Sequence, residues 1–90
     1  MFTKMYILSN TDFGCLVNEA LEMLETEEIT KDNYKNIANE IWEGVVVNSP
    51  DKDISGLMIV DKHGCWNSIS NPKSLEYLVY REYRDIIEDS

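Results

Sequence analysis

Residues 57–72, LMIVDKHGCWNSISNP, decide the fold. Leu57-Met58-Ile59-Val60 is a short apolar run of strand-forming residues, Asp61-Lys62-His63-Gly64 a polar loop, and Cys65-Trp66-Asn67-Ser68-Ile69 a second extended stretch. That succession predicts a β-hairpin. Asn71-Pro72 then sets a capping residue directly before a proline at the first helical position. The chain therefore leaves an antiparallel pair and enters a helix at once.

Working toward the C-terminus, Leu75, Leu78, Val79, Tyr83, Ile86 and Ile87 recur at the spacing of one helical face and predict a last amphipathic helix. Toward the N-terminus, Phe13, Leu16, Val17, Ala20, Leu21 and Leu24 repeat the pattern, with Thr11 or Asp12 to cap it. Tyr34, Ile37, Ala38, Ile41 and Trp42 form a second such face, with Thr30 or Asp32 as cap and Gly44 as stop. Phe2 to Leu8 reads as a strand, its run Met5-Tyr6-Ile7-Leu8 suiting a buried central position before the turn-prone Ser9-Asn10-Thr11-Asp12. Val45-Val46-Val47 reads as a β-branched strand between Gly44 and Asn48-Ser49-Pro50. The predicted order is β-α-α-β-β-β-α. This is an α+β domain with three helices on one face of about four mainly antiparallel strands, occupying residues 1–90 as a single unit.

Composition narrows the function classes. The 90 residues carry 17 acids against 8 bases, a net charge of −9. Such a surface repels phosphate backbones and lipid head groups and favours basic protein faces, which argues against direct nucleic-acid or membrane partners. No apolar run reaches the ~20 residues of a bilayer span, and no basic segment leads into a long apolar core. Two cysteines in so small a chain are too sparse for a secreted disulfide framework, so an intracellular, cytoplasmic protein with reduced Cys15 and Cys65 is expected. Ile, Asn, Lys and Tyr far outnumber Ala, Gly, Pro and Arg, a bias of AT-rich coding sequences such as those of many phages and low-GC bacteria.

The acids are not spread evenly. Glu19, Glu22 and Glu25, then Glu27 and Glu28, follow one another with no Lys or Arg between residues 5 and 30. Residues 48–73 carry no net charge, and Asp85, Glu88 and Asp89 make a second acidic group at the C-terminus. Like charges one helical turn apart cost a few tenths of a kcal/mol per pair, and acids late in a helix oppose its dipole. Three residues of helix advance ~4.5 Å, so the stripe spaces carboxylates much as a nucleic-acid strand spaces phosphates. On the last helix Tyr77, Tyr80, Arg81 and Arg84 form a second face of residue types common at interface hot spots, with Trp66 on the hairpin as a further candidate.

Catalytic and metal signatures fail. Asp51-Lys52-Asp53-Ile54-Ser55-Gly56 opens like a calcium loop, but Lys62 stands where the closing glutamate belongs and Pro50 precludes a normal preceding helix. One His and two Cys cannot supply the four ligands of a structural zinc site. A thiol or metal enzyme using Cys15, His63 and Cys65 is the weakest reading. No glycine-rich phosphate loop is present, and no cofactor is expected.

In size and acidity the chain is similar to the broad, mutually unrelated group of small inhibitors that includes anti-CRISPR and anti-restriction proteins, uracil-DNA glycosylase inhibitors and nuclease immunity proteins. The resemblance covers composition only. The sequence predicts a non-enzymatic inhibitor that offers Glu19, Glu22, Glu25, Glu27 and Glu28, supported by Asp85, Glu88 and Asp89, to the basic nucleic-acid channel of a nuclease or similar protein. The alternative is an interaction or assembly module, possible as a homodimer, that binds through Tyr77, Tyr80, Arg81 and Trp66 and uses its acids only for solubility.

Overall fold

The computed structural model describes residues 4–48 and 54–89. Strand β1 (Lys4–Leu8) leads into α1 (Asn10–Met23), α2 (Tyr34–Trp42), a π-helical turn (Glu43–Val47), β2 (Ile54–Val60), β3 (Trp66–Ile69), α3 (Pro72–Glu82) and a short α4 (Arg84–Glu88). The domain is α+β. The hairpin is where the sequence puts it: β2 and β3 pair antiparallel, Leu57 against Ile69 and Val60 against Trp66. Asn71 caps α3 by accepting from the Ser74 amide at 2.9 Å, with Pro72 opening the helix.

Among the described residues three strands form the sheet instead of four, in the order β1-β2-β3. Val45-Val46-Val47 is not a strand: it continues α2 in a wider helical turn in which the Asn48 amide donates to the Glu43 carbonyl at 2.8 Å. The β-branched preference yields because this turn keeps Val45 and Val46 packed on the core stripe begun by Ile37, Ala38 and Ile41. Gly44, expected to stop the helix, sits inside the turn.

Losing that strand changes the topology. Two helices now separate β1 from β2, a connection long enough to cross over, and the two strands pair parallel, Tyr6 with Leu57 and Leu8 with Ile59. The sheet is mixed instead of mainly antiparallel. Among the described residues β1 is an edge strand and not the central one, and Tyr6 and Ile7 are 49% and 61% exposed.

The cap residues also differ from expectation. Ser9 caps α1, in a reciprocal box with Asp12. α2 starts after Asn33, whose side-chain oxygen accepts from the Thr30 amide, so Thr30 and Asp32 belong to the preceding turn. The last helix breaks at Tyr83, which leaves Ile87 buried but Ile86 half out in solvent.

Leu57 and Ile59 lie fully buried in the core beneath the helices, together with Phe13, Val17, Ile37, Leu75, Leu78 and Val79. Successive strand residues point to opposite faces. The other face of the sheet therefore carries Met5, Ile7, Met58, Val60, Trp66 and Ser68, with no charged side chain among these residues.

Candidate protein-interaction surfaces

Glu19 and Glu22 are exposed on α1, and the helix has no base in its last turn. Beyond Leu24 the expected stripe leaves the helix. The Glu25 amide donates to the Glu22 carbonyl at 3.1 Å and the Thr26 amide to the Leu21 carbonyl at 3.0 Å. This is the Schellman ending, which needs a left-handed residue in its middle and usually takes glycine there. Here that residue is Glu25, at φ 55°. Glu27 and Glu28 follow in a bend, both exposed.

These acids reach across α1 to both neighbours. On one flank Glu19 shares a depression with Glu40 of α2, lined also by Leu16, Met23 and Val45. On the other, Glu27 and Glu28 share a cleft of about 290 Å³ with Tyr83 and Ile86 of the C-terminal segment. Phe13 of α1 packs against Tyr83 between the last two helices, their ring centroids 6.4 Å apart. Asp85 and Asp89 are exposed on the same short segment as Ile86. Glu40 does not stand out in the sequence because residues 31–47 nearly balance in charge.

Glu88 differs from its neighbours. It accepts from the Tyr80 hydroxyl at 2.7 Å and from Arg84 Nε at 3.3 Å. Those two donors, the tyrosine first, hold its carboxyl below the usual glutamate range, and the same bond raises the Tyr80 phenol. Tyr80 also packs on Tyr34, ring centroids 5.6 Å apart. It is spent inside the fold.

The other three aromatic and arginine candidates do converge. Trp66, Tyr77 and Arg81 line one groove of about 530 Å³ between β3 and α3, joined by Lys73. Trp66 and Tyr77 are 62% and 67% exposed. Arg81 closes the groove at one end by donating to Asn67 Oδ1 at 2.9 Å and to Asp61 Oδ2 at 3.3 Å.

Asp61 is a buried carboxylate at the hairpin turn. Its oxygens accept from the His63 and Cys65 amides at 2.9 and 3.0 Å, from Asn67 Nδ2 at 3.2 Å and from Arg81. The Cys65 amide does most to hold its pKa below 3.8, followed by Asn67, His63 and Arg81, against the opposing effect of burial. In the sequence these residues read only as a polar loop, because nothing in the spacing shows that Arg81 returns to residue 61.

Cys15 and Cys65 are exposed free thiols, Cys15 on α1 beside β1 and Cys65 in the turn before β3. No group of three or more His, Cys, Asp or Glu suited to a metal occurs among the described residues. The calcium-like positions Asp51 and Asp53 lie outside them. No helix of the described residues is long and apolar enough to cross a membrane. Comparison of the chain with protein-family models, with curated proteins and with solved structures finds no match.

Proposed function

We propose that the chain is a non-enzymatic acidic inhibitor that mimics nucleic acid and occupies the basic nucleic-acid-binding face of a protein partner in the cytoplasm. One observation carries the reading: Glu25 stands at a left-handed helix end that favours glycine, between Glu22 and Glu27 and at the negative pole of α1. Conformation, like-charge repulsion and dipole all disfavour a carboxylate there. Solubility alone is served as well by an acid at any exposed position. Glu19, Glu22, Glu27 and Glu28 extend the surface and Glu40 joins it from α2; Asp85 and Asp89 are exposed on the C-terminal segment, where Asp85 shares a cleft with Lys62, Arg81 and Arg84. Glu88 contributes less, being engaged by Tyr80 and Arg84.

The experiment is capture from host lysate at low salt with the wild type and with the triple variant Glu19→Gln, Glu22→Gln, Glu25→Gln. The expected partner is a basic protein that duplex DNA or RNA displaces and that the triple variant fails to hold. Binding should fall steeply with salt, since exposed charges are screened beyond about 8–10 Å. Capture that survives the triple change or raised salt overturns the reading.

A second reading rests on the convergence of Trp66, Tyr77 and Arg81 in one groove. In that reading the chain is an interaction module docking through the β3–α3 groove. Trp66→Ala with Tyr77→Ala then abolishes capture while the glutamine variants leave it intact.

A further inference from the structure

Among the described residues, the run Met5-Tyr6-Ile7-Leu8 has the composition of a central strand and the position of an edge. On the helix side Tyr6 is half exposed and lines a cleft of about 430 Å³ with Leu8, Cys15, Leu16 and Val45. On the open side Ile7 is 61% exposed. Beyond Lys4 at its start, where the register with β2 also shifts, this five-residue strand has no charge or proline of the kind that normally blunts an apolar edge. The two exposed residues point to opposite faces, so one added strand, whose side chains flank both faces, covers them together.

We propose that this strand comes from a second copy of the chain. The β1 strands of two copies pair antiparallel about a two-fold axis at Tyr6, joining two three-stranded sheets into one of six. Three observations favour a second copy over a foreign segment. First, the register is self-complementary: Tyr6 faces Tyr6, and Met5 faces Ile7 on the open side, apolar against apolar from both copies. Second, the edge carries no acid in a chain of net charge −9: the charged residue of β1 is Lys4, at the start of the strand, which pairs with Leu8 of the other copy in this register. The charged residue lining its cleft is Asp12, which is bonded to Ser9 in the cap of α1. The crowded acids begin at Glu19 and run away from β1 along α1, Glu22 standing ~15 Å beyond Asp12 by helical rise. Two like-charged copies therefore meet without bringing those acids together. Third, the opposite edge is built differently: Arg81, engaged by Asp61 and Asn67, and Lys73 line a polar groove alongside β3.

The dimer stands or falls independently of the acidic surface. Sedimentation of the full chain over a concentration series is expected to show a species of twice the 10.4 kDa chain mass. Ile7→Lys is expected to give a monomer with an unchanged far-ultraviolet spectrum, and Trp66→Lys, on the other edge, to leave the dimer intact. In a Cys65→Ser background, maleimide labelling of Cys15 should slow as protein concentration rises, a readout that does not depend on the Ile7 variant folding. A wild type that stays monomeric throughout, a dimer that survives Ile7→Lys, growth beyond two copies, or Cys15 labelling that ignores concentration overturns the proposal.

Discussion

Gly64 and Glu25 take the same left-handed backbone, at φ 80° and 55°, and the chain treats the two positions in opposite ways. At the hairpin turn the residue is glycine, the Gly64 amide donates to the Asp61 carbonyl, and the Asp61 carboxylate answers donors on both sides of the turn. Backbone, charge and hydrogen bonding agree there. At the end of α1 the residue is a glutamate, set among other acids with no base in the last helical turn. The first turn is built for stability. The second departs from three local preferences at once, and such departures gather where a surface is kept for use instead of for folding.

The largest loss is expected from breaking the first turn at its centre. Asp61→Ala leaves the His63 and Cys65 amides without their side-chain acceptor and takes one acceptor from each of Asn67 and Arg81, and the thermal unfolding midpoint should drop further than for Gly64→Glu or for any change at Glu25. The same residue sets a pH dependence. A carboxyl whose folded pKa lies below its unfolded value stabilises fully above the unfolded value and loses that contribution as pH falls through the folded one. Asp61 is lowered from 3.8, so wild-type stability should decline on acidification through and below that value. Asp61→Ala removes its part of the decline. What remains is expected to include Glu88, lowered chiefly by Tyr80, and Tyr80→Phe should reduce it.

A smaller loss isolates the backbone. Nothing lies within 4 Å of a Cβ built on Gly64, so a side chain there meets no crowding and its cost is conformational. Gly64→Glu recreates at the hairpin the residue that the end of α1 tolerates, and should destabilise by about 1–2 kcal/mol in denaturant titration.

The hairpin side was largely legible in the sequence and the β1 side was not. A short apolar run, a polar loop ending in glycine and an Asn-Pro cap are local signals, and they placed β2, β3 and the start of α3. The three helical stripes were equally local. The fate of Val45-Val46-Val47 depended on a non-local fact, that core contact was available to a helical continuation. That one difference turned an expected mainly antiparallel sheet into a mixed one with a crossover and moved β1 from centre to edge. The acidic residues could be named, but Glu25 could not be seen as left-handed, since glycine is the signal for that ending and here it is missing. Of the aromatic candidates, the sequence could not separate Tyr80, spent on Glu88 and Tyr34, from Tyr77, which faces the groove.

The smallest effect is the most discriminating, because it sets stability against use at one residue. Glu25→Gly relieves the left-handed strain of ~1 kcal/mol, and the added freedom of glycine in the unfolded chain returns part of that, so a gain of a few tenths to about 1 kcal/mol is expected. Glu25→Gln removes the charge while keeping a side chain in the strained conformation, so its effect on stability is confined to relief from neighbouring acids. If the turn is kept for a basic partner, both variants weaken capture at low salt, and only the glycine variant recovers the conformational energy as well. A chain that becomes more stable and binds as before would show that Glu25 serves neither folding nor recognition, and the contrast with Gly64 would then be an accident of sequence.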